Sequence, residues 1–416
     1  MELEFGFGTT KQSVTVPDGS LREIIVQNSI EFGVMGEDAV KAALSRPIGA
    51  PRLRDAVRPG EKIVIVTSDI TRPMPTYKVM PSVLDELYAA GADRKDITLV
   101  FALGSHRSHT EEEKKKLAGE RAYSEIRCVD SAPSEYVHYG VTSRGTPVDI
   151  MKEVAEADKR ICLGNIEYHW FAGFSGGAKA IMPGVSTREA IQANHSQMTS
   201  RYAHAGCIDE NPIRMDIEEA AAMVGVDYIV NVVLDEHKQI VYAVAGDVKL
   251  AHREGCRYLA KLYSKEIEER ADIVLVSQGG APKDLNLYQT QKALDNAKHA
   301  VKKGGTIILI GSCREGLGEK TFESWMLSAE TSHSIVERIQ TDFKLGGHKA
   351  AAIAMVLDDA EIYLVSEMDP ELVRHIFMTP FSTVQEAFDA AMKKHGPNAS
   401  VIAMPFGGST LPHAKK

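Results

Sequence analysis

Short runs of β-branched and aliphatic residues recur along this chain, at 62–67 (KIVIVT), 97–102 (ITLVFA), 160–163 (RICL), 228–234 (YIVNVVL), 273–277 (IVLVS), 306–310 (TIILI) and 362–365 (IYLV). Runs that are apolar on both faces and bounded by Gly, Asp or Pro read as buried strands of parallel sheets. Amphipathic stretches at 78–90, 186–196, 286–302 and 383–394 lie between them and read as helices. That alternation belongs to α/β domains. One stretch departs from it: 228–246, centred on 235–238, looks like a hairpin.

A chain of 416 residues is too long for one ordinary domain. A polar segment near 266–270, expected to be helical, precedes a fresh strand–loop–helix unit, and the main boundary is placed there. The expectation is two Rossmann-like α/β domains with mostly parallel sheets and the active site in the cleft between them. Residues 1–268 form the cofactor-binding N-terminal domain and 269–400 a smaller domain that closes over it. Residues 401–416 form a tail packing back on the N-terminal domain.

Composition removes several function classes. No run approaches the ~18 apolar residues of a membrane span, and the start MELEFGFGTTKQ lacks the basic and apolar regions of a signal peptide. The 5 cysteines are scattered without a CxxC pair, which fits reduced thiols in a cytoplasm and argues against a thiolate metal cluster. A net charge of −9 disfavours a nucleic-acid partner, although local basic residues can still attract a small anion.

In open α/β sheets, ligands sit beyond the carboxyl ends of the strands, and the polar residues fall there. After 62–67 comes Ser68-Asp69-Ile70-Thr71-Arg72-Pro73. After 97–102 comes Leu103-Gly104-Ser105-His106-Arg107. After 160–163 the chain runs through Glu167-Tyr168-His169 to Ser175-Gly176-Gly177-Ala178-Lys179. After 273–277 it runs through Gln278-Gly279-Gly280 to Gln289 and Lys292. The Gly-rich turn before Lys179, read as opening a helix, presents N–H groups suited to a phosphate, or else it is a tight turn with a solvated lysine. Its spacing is not that of a Walker loop. A desolvated lysine there would be an amine nucleophile. His106 and His169 follow neighbouring strand ends, and imidazole suits proton transfer near neutral pH. His195 ends a predicted helix, where the dipole favours a histidine as a C-terminal cap. Arg72 suits a carboxylate or phosphate fork, or a turn salt bridge to Asp69. Gln289 and Lys292, three apart, share one face of a helix start.

In order along the chain, these fragments resemble the nickel-pincer lactate racemase family. The most specific are Asp69-x-Thr71-Arg72-Pro73, Leu103-Gly104-x-His106-Arg107, and His169-x-Phe171 continuing through Gly176-Gly177-Ala178-Lys179. The likeness extends through Gly346-Gly347-His348-Lys349-Ala350 to Pro405-Phe406-Gly407-Gly408. It implies a 2-hydroxy acid racemase or epimerase acting by reversible hydride transfer. The implied cofactor is a nickel-pincer nucleotide, a pyridinium-3-thioamide-5-thiocarboxylate mononucleotide carrying nickel. By the same resemblance Lys179 is its tether and His195 its protein metal ligand, with Asp69, Thr71, Gly176 and Gly177 also in the cofactor site. His106 and His169 are the implied acid/base pair, and Arg72, Gln289 and Lys292 the implied substrate-binding residues. Cofactor-biosynthesis enzymes are implied partners, beside a small 2-hydroxy carboxylate substrate.

The chemistry is coherent with that assignment. Removing a proton from C2 of a 2-hydroxy acid would create a carbanion beside a carboxylate, whereas removing hydride leaves a neutral ketone. The hydroxyl must lose its proton at the same time, and it points differently in the two enantiomers, so two bases serve better than one. Nickel(II) accepts soft donors and imidazole nitrogen, so a cofactor supplying sulfur and carbon needs only one histidine. Three rivals remain at this point, the first being a relative in this family that acts on another 2-hydroxy acid such as malate, an aryl-lactate or a sugar acid. A nicotinamide-dependent dehydrogenase would release the ketone, but no GxGxxG follows an early strand. A non-catalytic relative would bind the pincer without turnover.

Overall fold

The computed structural model describes every residue except Ser105, Pro133, Ser134, Glu236 and Lys416. Ser105, inside the Leu103–Arg107 fragment, and Glu236, in the expected hairpin turn, therefore lie outside the described residues. The chain divides into two compact units, one of residues 30–260 and one of residues 1–29 with 261–416. No helix among the described residues is long and apolar enough to cross a membrane.

The unit of residues 30–260 is built on a six-stranded sheet in the order Ile240–Gly246, Tyr228–Leu234, Lys159–Ile166, Ile63–Ser68, Ile97–Ala102, Arg127–Asp130. Every pairing is parallel except that of the first two, which form the expected hairpin. The expected strands read correctly because their residues are buried on both faces, as in Ile63–Ser68, where the first five residues are all buried. Helices Gly36–Ser45 and Thr76–Ala89 help cover the sheet, and Val40, Val79, Leu84, Leu99 and Val230 share one apolar core. From Ile63–Ser68 the chain adds strands on one side, then returns to add Lys159–Ile166 on the other. The gap between those two strands is a topological switch point, where the loops leave in opposite directions and open a crevice.

The other unit also has a six-stranded sheet, parallel throughout, ordered Thr379–Phe381, Glu361–Val365, Val301–Ile310, Ala271–Ser277, Val401–Met404, Leu21–Ile24. Its core includes Phe5, Val14, Ile273, Ile308, Phe388 and Val401. The N-terminal hairpin Glu2–Phe7 with Thr10–Thr15 belongs to this core. Gly6 passes so close to the Gly279 backbone that a Cβ would lie 2.3 Å from its carbonyl carbon, so no side chain fits there.

Three sequence expectations about domain membership and strand pairing need correction, and so does one helix end. The first 29 residues do not belong with 30–260, because Leu21–Ile24 pairs with Val401–Met404. The segment near 266–270 is not helical: Ser264–Ile267 is a strand paired in parallel with Leu411–Ala414. The tail 401–416 is accordingly part of the unit that holds the C-terminal sheet, its first strand being a member of that sheet. In each case the deciding partner lies far away along the chain, where local periodicity carries no signal. The helix expected at 286–302 ends at Ala297, and 301–302 already belong to the strand Val301–Ile310.

The buried Asp284 carboxylate knits this unit together, accepting from Gly8 N at 2.7 Å and Ser312 N at 3.0 Å. Asp284→Ala leaves both N–H groups without that acceptor and is expected to cost about 3 kcal/mol. In a Trp170→Phe background, Trp325 fluorescence should report a lower urea midpoint for this unit. An unchanged midpoint would contradict the assignment.

Candidate active site

Three adjacent strands of the 30–260 sheet deliver Arg72, His106 and His169, while His195 lies in the last turn of the helix Arg188–Ser196. Asp69 follows Ile63–Ser68 directly and is buried, with its Oδ2 2.5 Å from His106 Nδ1. Its Oδ1 accepts from Thr71 Oγ1 at 2.7 Å and from Thr71 N at 3.3 Å. Burial pushes the Asp69 carboxyl up, but the hydrogen bonds from His106 and Thr71 outweigh it and hold the group below its usual value. An ionised Asp69 can only accept, so His106 donates from Nδ1, and in the neutral form of the ring the lone pair is then on Nε2. Asp69 and Thr71, assigned by resemblance to the cofactor, here orient His106.

The turn itself is closed by Arg72 N–H on the Asp69 carbonyl at 3.2 Å, and not by a side-chain bridge between the two. The Arg72 side chain is exposed. A second histidine, passed over in the sequence, supports this turn from beneath. His109 is buried, its Nε2 accepts from Ile70 N at 3.1 Å, and its Nδ1 meets Asp130 Oδ1 at 2.6 Å.

Beyond the strand Lys159–Ile166, Tyr168–His169 pairs with Gly173–Phe174 in a two-residue ladder. The bend between them projects Phe171, whose ring gathers the remaining groups. His169 lies 4.5 Å from it edge-on, His195 4.8 Å and Lys179 Nζ 6.0 Å, centroid or ammonium to centroid. Phe171 is therefore the hub of the site, flanked by Trp170 at 4.6 Å. His169 Nδ1 accepts from Ala172 N at 3.3 Å, so the neutral ring carries its proton on Nε2. Burial draws the His169 imidazole well below its ordinary value, and the charges of Lys179, Arg72, His195 and Arg214 act the same way. Burial, then Arg214 and Arg72, likewise pull the Lys179 ammonium well below its usual range, with Glu167 opposing them.

The turn before Lys179 differs from its expected form. It opens a single 3-10 turn, Gly177–Ala180, and not an α-helix, so it lacks a helix dipole for a phosphate. Gly177 N–H is already taken by Asn231 Oδ1 at 2.7 Å. Both glycines are required by close approach: a Cβ at Gly176 would stand 2.7 Å from Asn231 Oδ1, and one at Gly177 2.9 Å from the His252 ring. His252 in turn donates from Nε2 to the Ser175 carbonyl at 2.8 Å.

The helix Pro212–Val224 holds the bend that carries Phe171, and no functional motif marks it. Asn211, its N-cap, donates to the Phe171 carbonyl at 2.8 Å. Arg214, fully buried, donates to the Ala172 carbonyl at 3.3 Å and to the Phe174 carbonyl. Its burial lowers the guanidinium pKa to about 10, so it stays cationic at neutral pH. Asn211 followed by Pro212 signals a helix start in the sequence, but nothing local marks Arg214 as buried.

Gln289 and Lys292 belong to the other unit, where both are exposed on the helix Leu287–Ala297, capped by Asn286. The Gly346–Ala350 fragment packs on the first turn of this helix: Lys349 Nζ donates to the Tyr288 carbonyl at 2.6 Å and lies 4.0 Å from the Tyr288 ring centroid.

Comparison with known proteins bears on the chain's family and fold. The model of the lactate racemase N-terminal domain matches residues 7–206, and that of the lactate racemase C-terminal domain matches 267–411. The chain is 33% identical to the lactate racemase of Thermoanaerobacterium thermosaccharolyticum over 425 aligned positions, 99% of each protein. It is 33% identical to that of Lactiplantibacillus plantarum over 381 positions, covering 89% of each. The solved lactate racemase apoprotein from T. thermosaccharolyticum superposes with a TM-score of 0.87 at 32% identity, covering 99% of this chain and 100% of that one. A Thermotoga maritima protein at 18% identity and a TM-score of 0.62 shares the fold over 91% of this chain and 98% of its own. The two family domains and the near full-length relatives together establish that this chain belongs to the lactate racemase family.

Proposed function

We propose that this protein interconverts the enantiomers of a small 2-hydroxy acid, lactate being the first candidate, with a nickel-pincer nucleotide as its cofactor. The observation that carries this reading is the gathering of His169, Lys179 and His195 around Phe171, within the electrostatic reach of Arg72.

The residues present fit such a cofactor. Lys179, drawn toward its neutral form, is a nucleophile able to take an acyl or thioacyl group in amide linkage. His195 offers one imidazole on the same aromatic ring. Among the described residues no three His, Cys, Asp or Glu side chains gather to hold a bare metal ion, so nickel here would draw its other donors from the cofactor. When bound, this group supplies an acceptor for the C2 hydrogen together with its electron pair.

The protein's own residues then handle charge and protons. Arg72, with Gln289 and Lys292, is assigned to the substrate carboxylate, fixing which way C2 faces. The two histidines are complementary in their resting forms. His106, held by Asp69, presents a lone pair at Nε2 and takes the hydroxyl proton of one enantiomer. His169, with its proton on Nε2, gives that proton to the ketone oxygen on the way to the other and is restored by the proton His106 took, so the pair ends the turnover as it began. The depressed His169 pKa keeps that ring from gaining a second proton until the pH falls well below its ordinary value.

Four outcomes test this reading. Lactate deuterated at C2 should yield its enantiomer without added nicotinamide and with the label largely retained; washout to solvent would mean C2 deprotonation. Lys292→Ala in the cofactor-loaded enzyme should lose about 10- to 100-fold in kcat/KM, the value of one charge-assisted pair to the carboxylate. His106→Ala and His169→Ala should change kcat unequally in the two directions. Because the enantiomers are equal in energy, kcat/KM stays equal both ways, so the asymmetry appears in kcat and KM separately. Finally, Lys179 in the apoprotein should react with trace acetic anhydride at pH 7 faster than exposed lysines; a slower reaction would contradict a neutral amine.

A further inference from the structure

His195 is 8% exposed, and its Nδ1 lies 2.9 Å from the Oδ1 of the preceding residue, Asn194. Asn194 is itself fully buried, and its amide Nδ2 donates to Asp216 Oδ2 at 2.7 Å and to the Ile213 carbonyl at 3.3 Å. A peptide carbonyl only accepts, so the amide nitrogen must face Ile213 and the amide oxygen must face the imidazole. That oxygen also only accepts, so the proton of neutral His195 sits on Nδ1 and the lone pair on Nε2.

Asp216 is held as firmly as the group it orients. It comes from the helix Pro212–Val224 and is fully buried. Thr146 Oγ1 donates to Oδ2 at 2.6 Å and Thr142 Oγ1 donates to Oδ1, with Gln197 Nε2 at 3.4 Å from Oδ2. With both oxygens engaged by hydroxyls and amides from separate segments, the carboxylate has one orientation open to it, and Asn194 inherits that orientation.

We propose that Asn194, oriented by Asp216, is a positioning residue that fixes the tautomer and ring orientation of His195 and so presents Nε2 to the nickel of the cofactor. This rests on the reading of His195 as the metal ligand. A buried relay of carboxylate, amide and imidazole is the kind of outer support that metal-binding histidines receive, and it sets which nitrogen can coordinate.

The test begins with the full-length apoprotein labelled with 15N-histidine. Long-range proton–nitrogen spectra at neutral pH, with the His195 signals identified by their loss in His195→Gln, should show a protonated Nδ1 and an unprotonated Nε2. The opposite tautomer in the wild type overturns the proposal even if Asn194→Leu does not fold. Asn194→Leu, of similar volume, should abolish this preference, and an unchanged tautomer overturns the relay. With protein loaded with the nickel-pincer nucleotide, Asn194→Leu should release nickel to a chelator with affinity weakened about 10- to 100-fold. Retention equal to wild type overturns the metal half of the proposal. His195→Ala separates the two readings: if it keeps nickel as the wild type does, the ligand assignment fails, although the tautomer result stands.

Discussion

A single buried helix, Pro212–Val224, supplies the polar anchors on which the rest of the site depends. Arg214 and Asn211 take the carbonyls of Phe171, Ala172 and Phe174, and Asp216 takes Asn194. Burying a guanidinium and a carboxylate is costly unless their hydrogen bonds are made: hydroxyls and amides donate to Asp216, and Arg214 donates to backbone carbonyls from Nε and Nη2, leaving Nη1 without a partner. The two charges lie on one helix, spaced two apart, and act on different segments. One shapes the bend that projects Phe171; the other orients the residue next to His195. The separate loops of the site are thus referred to one rigid element, as preorganisation requires.

Electrostatics follows from that choice. Arg214 is a permanent cation under the loop, and Arg72 lies on the rim of the same region. Together with burial they favour the neutral forms of His169 and Lys179. On the proposed reading the same cations also provide a positive field for a carboxylate substrate, in a chain whose net charge is −9. The two properties have one cause, because the cations that repel a proton attract a carboxylate. His106 is handled differently. Its partner is the carboxylate of Asp69, so its proton is directed and not displaced.

The position of the site follows from topology. The strand order reverses between Ile63–Ser68 and Lys159–Ile166, and the loops leaving those strands carry Asp69, Arg72 and His169. His106 follows the next strand along. The second unit repeats the plan, its order reversing between Ala271–Ser277 and Val401–Met404. There Gln278, just beyond the first of these strands, donates to the Gln289 carbonyl at 3.1 Å, and the Gly407 carbonyl beyond the second accepts from Asn296 at 2.7 Å, bracing the helix that carries Gln289 and Lys292.

By itself the sequence determined the α/β class, most strand positions, the hairpin at 228–246 and the histidines, arginine and lysine at the strand ends, because each of these depends on local periodicity or on residues close together in a motif. Tertiary structure decided the rest. Only the sheet shows that Leu21–Ile24 and Ser264–Ile267 are strands of the C-terminal unit, since their partners lie hundreds of residues away or at the chain's end. Only packing distinguishes Phe171 from its aromatic neighbours, or shows that the Gly176–Gly177 turn is filled by Asn231 and His252. Arg214 and Asp216 look like ordinary surface charges of an amphipathic helix until the fold buries them. Burial is a property of the assembled molecule, and it is burial that turns those charges into the supports of the site.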